Sequence, residues 1–249
     1  MDFWGAAEAG AARDASRAIA RAGRSMRNRD YHRAETLSGT GAHATLDEKE
    51  GLAMARPASS SEPKKRATYQ DVIDAPEHLI AEILGGELVL TPTPAPPHQK
   101  ASLLLARRLG GPFEDGVGGP GGWSFVHETE IHFSTDGLEV LVPDLAGWRR
   151  ERVSEMPKTA ALHVAPDWVC ETLSPSTEKI DRTRKMAIYA REGVSHLWLL
   201  DPKQRRLEAY RLKEGAWRAC EPPSDPARPD FRGEPFGAVP LDLSNIWKW

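Results

Sequence analysis

The sequence lacks the long apolar runs and the cysteine content of membrane proteins and disulfide-bonded secreted proteins. Its apolar runs, such as 197–200, span a few residues, whereas a membrane-spanning helix needs about 20. Arginines interrupt the alanines near the N-terminus, so the apolar stretch of a secretory signal is missing. Only Cys170 and Cys220 are present, which allows at most one disulfide. We therefore expect a cytoplasmic protein with two reduced thiols and no membrane partner.

The sequence also has little excess charge of either sign. Its 33 Lys and Arg residues against 36 Asp and Glu residues give a formal net charge of −3. This balance excludes a protein that coats nucleic acid through bulk positive charge, although it leaves room for a local basic groove. The length of 249 residues is sufficient to bury a full core without disulfides or structural metals.

The first 53 residues contain almost no valine or isoleucine and are rich in Ala, Arg and Gly. Such a segment buries too little apolar surface to offset the entropy of ordering it, although its composition would permit a helix near 6–26. We predict that residues 1–65 form a disordered or partly helical extension and that 66–249 form one domain. Met54 would be the physiological start, the alternative being a genuine disordered tail. A peptide from residues 20–40 in the native protein would contradict that start site.

Hydrophobic periodicity and turn residues predict a mixture of helices and strands in one α/β domain. We expect helices at 76–84, 98–109 and 178–191, and a glycine-rich loop at 110–122. Strands are expected at 87–90, 123–133, 138–142, 168–173 and 197–200, followed by a hairpin over 206–220 and a last strand at 239–243.

Two carboxylates occur where a charge is costly. Asp144 ends an apolar stripe of the 138–142 strand, and Glu171 lies inside a strand that looks buried on both faces. A salt bridge or a strand-end hydrogen bond would explain either residue alone. The following turn at 174–177 leads into a helix on which Asp181, Lys185 and Tyr189 recur every four residues and so share one face.

An aspartate, a glutamate and a nearby lysine are the minimal set for metal-dependent phosphodiester hydrolysis. The alternative for Lys185 is an ordinary i,i+4 pair with Asp181 on a solvated helix face. No Cys or His is expected to accompany the two carboxylates, which favours Mg²⁺ over Zn²⁺. His127 and His132 are an odd number of residues apart and are not expected to share a metal.

At these motifs the chain resembles the Uma-two family of putative endonucleases, within the restriction-endonuclease-like PD-(D/E)xK superfamily. The motifs are Val142-Pro143-Asp144-Leu145-Ala146-Gly147-Trp148, Pro166-Asp167-Trp168-Val169-Cys170-Glu171-Thr172-Leu173-Ser174-Pro175-Ser176-Thr177, Lys185 to Tyr189, Gly193-Val194, Trp198-Leu199-Leu200-Asp201-Pro202 and, upstream, Ala81 to Val89 with His98. The resemblance covers nearly all of 69–249 and none of 1–53.

The resemblance implies a restriction-endonuclease-like mixed sheet flanked by helices, with Asp144 and Glu171 binding Mg²⁺ or, as a substitute, Mn²⁺. In the superfamily the catalytic lysine usually follows the second acid by two residues. That position is Leu173 here, and the family pattern puts the lysine on the next helix, at Lys185.

The same resemblance gives supporting roles to further residues. Glu82 matches an acid of the family's first helix that holds metal through water, and Glu130 is a weaker match of the same kind. The remaining candidates near the cleft are His98, Asp181 and Tyr189.

These observations together predict a metal-dependent endonuclease acting on DNA, for which a homodimer would suit the cutting of two strands. Two alternatives remain open. The chain could be a non-catalytic module that binds nucleic acid or a protein partner on the same fold, or a hydrolase acting on another phosphoester.

Overall fold

A computed structural model describes residues 65–134, 138–220 and 230–248. The predicted N-terminal extension, its helix and the start at Met54 lie outside these residues. The described part has the mixed α/β architecture expected from the sequence, with its strands divided between two sheets. No helix in the described ranges is long and apolar enough to cross a membrane.

The first sheet has five strands in the order β2-β1-β5-β4-β7. Its neighbours pair antiparallel except for β4 and β7, which are parallel. The strands are β1 (Leu79–Leu84), β2 (Glu87–Pro92), β4 (Glu130–Phe133), β5 (Glu139–Leu141) and β7 (Ala161–Leu162).

The second sheet has six strands in the order β11-β10-β9-β8-β6-β3. The central strands β8 and β9 are parallel, and the other pairs are antiparallel. The strands are β3 (Trp123–His127), β6 (Leu145–Arg149), β8 (Trp168–Thr172), β9 (His196–Asp201), β10 (Arg206–Lys213) and β11 (Ala216–Ala219).

Four α-helical segments accompany the sheets: α1 (Tyr69–Ile73), α2 (Pro96–Leu109), α3 (Glu178–Ile180) and α4 (Met186–Arg191). Two wider π-helical turns extend them, at Gly110–Asp115 after α2 and at Asp181–Lys185 between α3 and α4. Proline begins α2, where its missing N–H costs no hydrogen bond.

The second sheet is covered on both faces, which explains the uniformly buried strand β8. One face carries Trp168 and Cys170 and packs against α2 and the C-terminal segment. The opposite face carries Val169 and packs against the first sheet and α4. Alternation along β8 therefore sends Glu171 to the side where the two sheets and α4 meet.

The helix predicted at 76–84 is wrong, because this segment contains strand β1. Strand β1 pairs along its whole length with β2, and the two glycines between them both have positive φ, 60° at Gly85 and 77° at Gly86. Two such residues form a tight hairpin turn. The Gly-Gly pair is therefore the turn of a hairpin, not the end of a helix.

The single strand predicted at 123–133 is also wrong. Glu128, with φ of 46°, interrupts it, and the two halves join different sheets as β3 and β4. The predicted loop at 110–122 begins with the π-helical turn at Gly110–Asp115. The predicted strand at 239–243 is reduced to a single bridge between Phe231 and Leu241.

Candidate active site

The candidate site lies where the chain passes from the first sheet into the second. Strand β5 ends at Leu141, and Asp144 immediately precedes β6. Strands β6 and β8 are antiparallel with Leu145 opposite Cys170, so the next position of that register brings Asp144 opposite Glu171. Residues that are 27 positions apart in the chain thus become neighbours at one end of the sheet.

Two donors from different elements hold the Asp144 carboxylate. The Nε2 atom of His98, on α2, lies 2.7 Å from Oδ1, and the backbone N–H of Thr172, on β8, donates to Oδ2 over 2.6 Å. All three residues are buried. The expectation that no histidine accompanies the carboxylates is therefore wrong, since the imidazole of His98 contacts one of them directly.

Glu171 receives its hydrogen bonds from the helical segments that follow its strand. The Tyr189 hydroxyl donates to Oε1 over 2.6 Å, and the Lys185 Nζ atom lies 3.4 Å from both carboxylate oxygens. The face predicted from the four-residue spacing does bring Lys185 and Tyr189 together on this acid.

Glu82 joins the site from strand β1 rather than from the predicted helix. Its side chain shares a strand face with Leu84, which packs between the two sheets. One of its oxygens accepts a hydrogen bond of 2.8 Å from the backbone N–H of Val142 and lies 2.9 Å from Lys185 Nζ. The hairpin therefore delivers a third acid to the same lysine.

Asp181 is the fourth acid, at the start of the π-helical turn that ends with Lys185. The Asp181 Oδ1 atom is 3.8 Å from Lys185 Nζ, and the two side chains are 3% and 7% exposed. The alternative of an ion pair on a solvated helix face is thus contradicted, because both side chains are buried.

The four acids, Glu82, Asp144, Glu171 and Asp181, share one cavity with a single lysine. Burial raises the pKa of Glu171 well above its usual range, and the three neighbouring acids add to the rise although Lys185 opposes it. Burial likewise raises the pKa of Asp181 to about 6. The excess of negative charge makes each further ionisation in the cavity unfavourable.

The same carboxylates also change the pKa values of Lys185 and Tyr189. Burial by itself would lower the pKa of Lys185, but Glu171, Glu82 and Asp181 together raise it well above its ordinary value. Burial followed by the charge of Glu171 also raises the pKa of Tyr189. Lys185 is therefore a cation and Tyr189 a neutral hydrogen-bond donor at ordinary pH.

The cavity has a volume of about 230 Å³. Its walls include two short segments that were not among the predicted site residues. The first is the end of β2 with the loop that follows it and contributes Thr91 and Thr93, and the second is the loop after β8 and contributes Ser174, Ser176 and Thr177. The hydroxyl-rich turn directly after Glu171 was the available signal for the second loop.

Two residues considered from the sequence are not brought to this cavity. Glu130 accepts hydrogen bonds of 3.0 Å from the Tyr69 hydroxyl and lies 3.0 Å from His132 Nε2, away from the cavity wall. Leu173, at the usual lysine position, is packed in the apolar cluster between the sheets.

The donors in the cavity suit a hard divalent cation that keeps part of its water shell. Within the described ranges, no three imidazole, thiolate or carboxylate groups enclose a metal ion. Mg²⁺ does not require such an enclosure, because it commonly binds one or two carboxylates with waters and substrate phosphates completing its octahedron. Asp144 and Glu171 meet that requirement. Zn²⁺ normally takes three or four nitrogen and sulfur ligands, which the single imidazole of His98 does not supply.

Comparison with known proteins matches the chain to a family and to solved structures. The family described as "Uma2: Putative restriction endonuclease" matches residues 67–237. A solved structure described as a "putative nuclease belonging to DUF820" from Anabaena variabilis ATCC 29413 superposes with a TM-score of 0.56 at 20% sequence identity, covering 74% of this chain and 98% of the other. At this identity the likeness establishes the fold. A comparison with curated proteins found no match.

Proposed function

Since the chain belongs to the Uma2 family of restriction-endonuclease-like proteins, we propose that it is a metal-dependent endonuclease that hydrolyses DNA phosphodiester bonds. Asp144 and Glu171 would hold Mg²⁺, with Mn²⁺ as a substitute, and Lys185 would complete the catalytic set. Residues 66–249 would form the nuclease domain. A homodimer and a cytoplasmic location stay predictions.

The observation that carries this proposal is the convergence of four buried carboxylates on one lysine in a single cavity. The four carboxylates and the lysine have a formal charge of −3 when all are ionised. Uncompensated negative charge is strongly unfavourable in a low-dielectric site. A divalent cation at Asp144 and Glu171 would offset most of it, and the phosphate diester would then enter a site that no longer repels it.

The ionisation state of Lys185 defines its role. Because its pKa is raised by Glu171, Glu82 and Asp181, Lys185 keeps its proton and is unsuited to act as the general base. A protonated amine can donate hydrogen bonds to a phosphate oxygen and stabilise the charge that develops there. When bound, the metal ion would neutralise the phosphate and lower the pKa of an attacking water.

Glu82, Asp181 and Tyr189 would position these groups. Glu82 lies 2.9 Å from Lys185 Nζ and is itself fixed by the backbone of Val142. Tyr189 holds one oxygen of Glu171. Locked side chains of this kind keep reactive groups in a productive geometry with little reorganisation.

The test is cleavage of plasmid and single-stranded DNA by the purified full-length chain with Mg²⁺, with Mn²⁺ and with EDTA. Glu171→Gln keeps the shape of the side chain and removes its charge, so it should abolish metal-dependent cleavage. Glu130→Gln is the matched control, because it is the same substitution outside the cavity, and it should cleave like wild type. Equal activity of wild type and Glu171→Gln would indicate a contaminating nuclease and refute the catalytic assignment.

A divalent-cation titration separates the two other functions. A non-catalytic binding module would show no Mn²⁺ affinity that depends on Glu171. A hydrolase of another phosphoester would bind Mn²⁺ through Glu171 but leave both DNA substrates intact.

A further inference from the structure

His98 makes an unusual set of contacts for a buried histidine. It is the third residue of α2, and its side chain lines the cavity that contains Asp144. Its Nε2 atom lies 2.7 Å from Asp144 Oδ1, at a side-chain exposure of 10%. Its Nδ1 atom is buried and has no hydrogen-bond partner among the described residues.

The chemistry of the carboxylate fixes the direction of this hydrogen bond. An ionised carboxylate only accepts hydrogen bonds, so Nε2 carries the proton and donates a hydrogen bond to Asp144 Oδ1. The Thr172 N–H donates to the second oxygen over 2.6 Å. With both oxygens fixed, the plane of the carboxylate is set, and each oxygen keeps a further lone pair for another partner.

We propose that His98 is a positioning residue that holds Asp144 in the orientation in which it binds the divalent cation. This inference rests on the proposed function of the same site. Partners of this kind around a metal ligand commonly change metal affinity by roughly 10–100-fold when they are removed.

A purely structural role fits these contacts less well. The helix α2 is anchored without His98, because Ala101, Leu105 and Leu109 pack it against the second sheet. Among the described residues the imidazole makes one hydrogen bond, to Asp144, and its other nitrogen has no partner. A buried nitrogen without a partner costs free energy, and anchoring the helix does not require it.

Two substitutions of His98 distinguish the effect of its hydrogen bond to Asp144 from the effect of the rest of the imidazole ring. In His98→Gln the amide nitrogen reaches about as far as Nε2 and can still donate to Asp144. In His98→Asn the amide nitrogen reaches only the position of Nδ1 and cannot. Ser102→Ala is the matched control, since Ser102 is a fully buried polar residue one turn further along α2 that does not line the cavity.

The experiment is calorimetric titration of the full-length chain with Mn²⁺ alone, for wild type, the three variants and Asp144→Asn. We expect His98→Asn to bind Mn²⁺ about 10–100-fold more weakly, while His98→Gln and Ser102→Ala bind close to wild type. Near-ultraviolet circular dichroism of each metal-free variant reports whether tertiary packing is kept.

Each result decides one of the two proposals. If Asp144→Asn binds Mn²⁺ like wild type, the metal site itself is misassigned and the proposed function fails. If Asp144→Asn loses binding but His98→Asn keeps it, only the positioning role is overturned. The positioning role is also overturned if both His98 variants lose Mn²⁺ binding or folded structure while Ser102→Ala keeps them. His98→Gln retains the donated hydrogen bond, so its failure would show that this hydrogen bond does not maintain Mn²⁺ binding.

Discussion

Asp181→Asn should stabilise the protein, because it removes one of four mutually repelling carboxylates. Asparagine keeps the size of the side chain and an oxygen that can accept the hydrogen bond from Thr177. Of its three ion-pair partners, Lys185 loses the most distant one, at 3.8 Å, and keeps Glu82 at 2.9 Å and Glu171 at 3.4 Å. The gain from relieved repulsion and desolvation should therefore exceed the loss of this one attraction.

The pKa of Asp181 sets the size of the effect. A rise from 3.8 to about 6 on folding corresponds to roughly 3 kcal/mol, at about 1.36 kcal/mol per pKa unit. The pKa of Asp181 is higher in the folded state than in the unfolded state. Its contribution to folding stability is therefore fully present below the unfolded-state pKa of 3.8 and is lost as the pH rises through the folded-state pKa of about 6. Asp181→Asn should thus gain about 3 kcal/mol above pH 6 and almost nothing near pH 4.

The assay is thermal unfolding of the metal-free full-length chain across this pH range. For a domain of this size, about 3 kcal/mol corresponds to roughly 6–12 °C in Tm. Asp115→Asn, at an exposed position outside the cavity, is the control and should leave Tm unchanged. The reasoning is refuted if Asp181→Asn is no more stable than wild type near pH 8, or if its gain is the same at pH 4 and pH 8.

Two further predictions concern the same charges. Lys185→Met should lower the free energy of unfolding by about 3–5 kcal/mol, because it leaves buried carboxylates without their shared cation. Chemical denaturation measures this change. Lys158→Met is the control and should have little effect, because the Lys158 side chain is 92% exposed. Mn²⁺ affinity should fall as the pH drops through about 6, because Asp181 then takes up a proton and the cavity loses negative charge. The raised pKa of Glu171 acts in the same direction, because protons compete with the metal for this carboxylate. Titration calorimetry at several pH values tests this, and an affinity that is constant across the range would contradict it.

The sequence predicted the parts of the fold that depend on local pattern. Strands β8 and β9, the hairpin of β10 and β11, and the long helix α2 all follow from runs of apolar residues bounded by turn residues. The segment at 76–84 was misread because Glu82 and its apolar neighbours fit a short helix equally well. The Gly85-Gly86 pair between two apolar runs is also a local hairpin signal, and the pairing of β1 with β2 shows that it is the turn of a hairpin here.

Part of the candidate site could likewise be predicted from local sequence pattern. A carboxylate inside an apolar strand is visible in the sequence, so Asp144 and Glu171 could be selected, and the four-residue spacing selected Asp181, Lys185 and Tyr189. The backbone N–H groups of Val142 and Thr172, which hold Glu82 and Asp144, carry no side-chain signal. The contact between His98 and Asp144 joins α2 to the strand edge across 46 positions of sequence, which no spacing rule could predict.

The arrangement around β8 also explains why the lysine lies on the helix and not two residues after Glu171. Leu173 is on the strand face of Glu171, but it is 5% exposed and packed in the apolar cluster between the two sheets. A lysine there would have to bury its charge among aliphatic side chains, which is strongly unfavourable. Lys185 lies instead at the end of the π-helical turn at Asp181–Lys185, where its Nζ atom is 3.4 Å from Glu171. Glu82 of the first sheet forms an ion pair of 2.9 Å with the same Nζ atom. Such turns within helices often occur at functional sites. The position of Lys185 is thus set by the packing of both sheets.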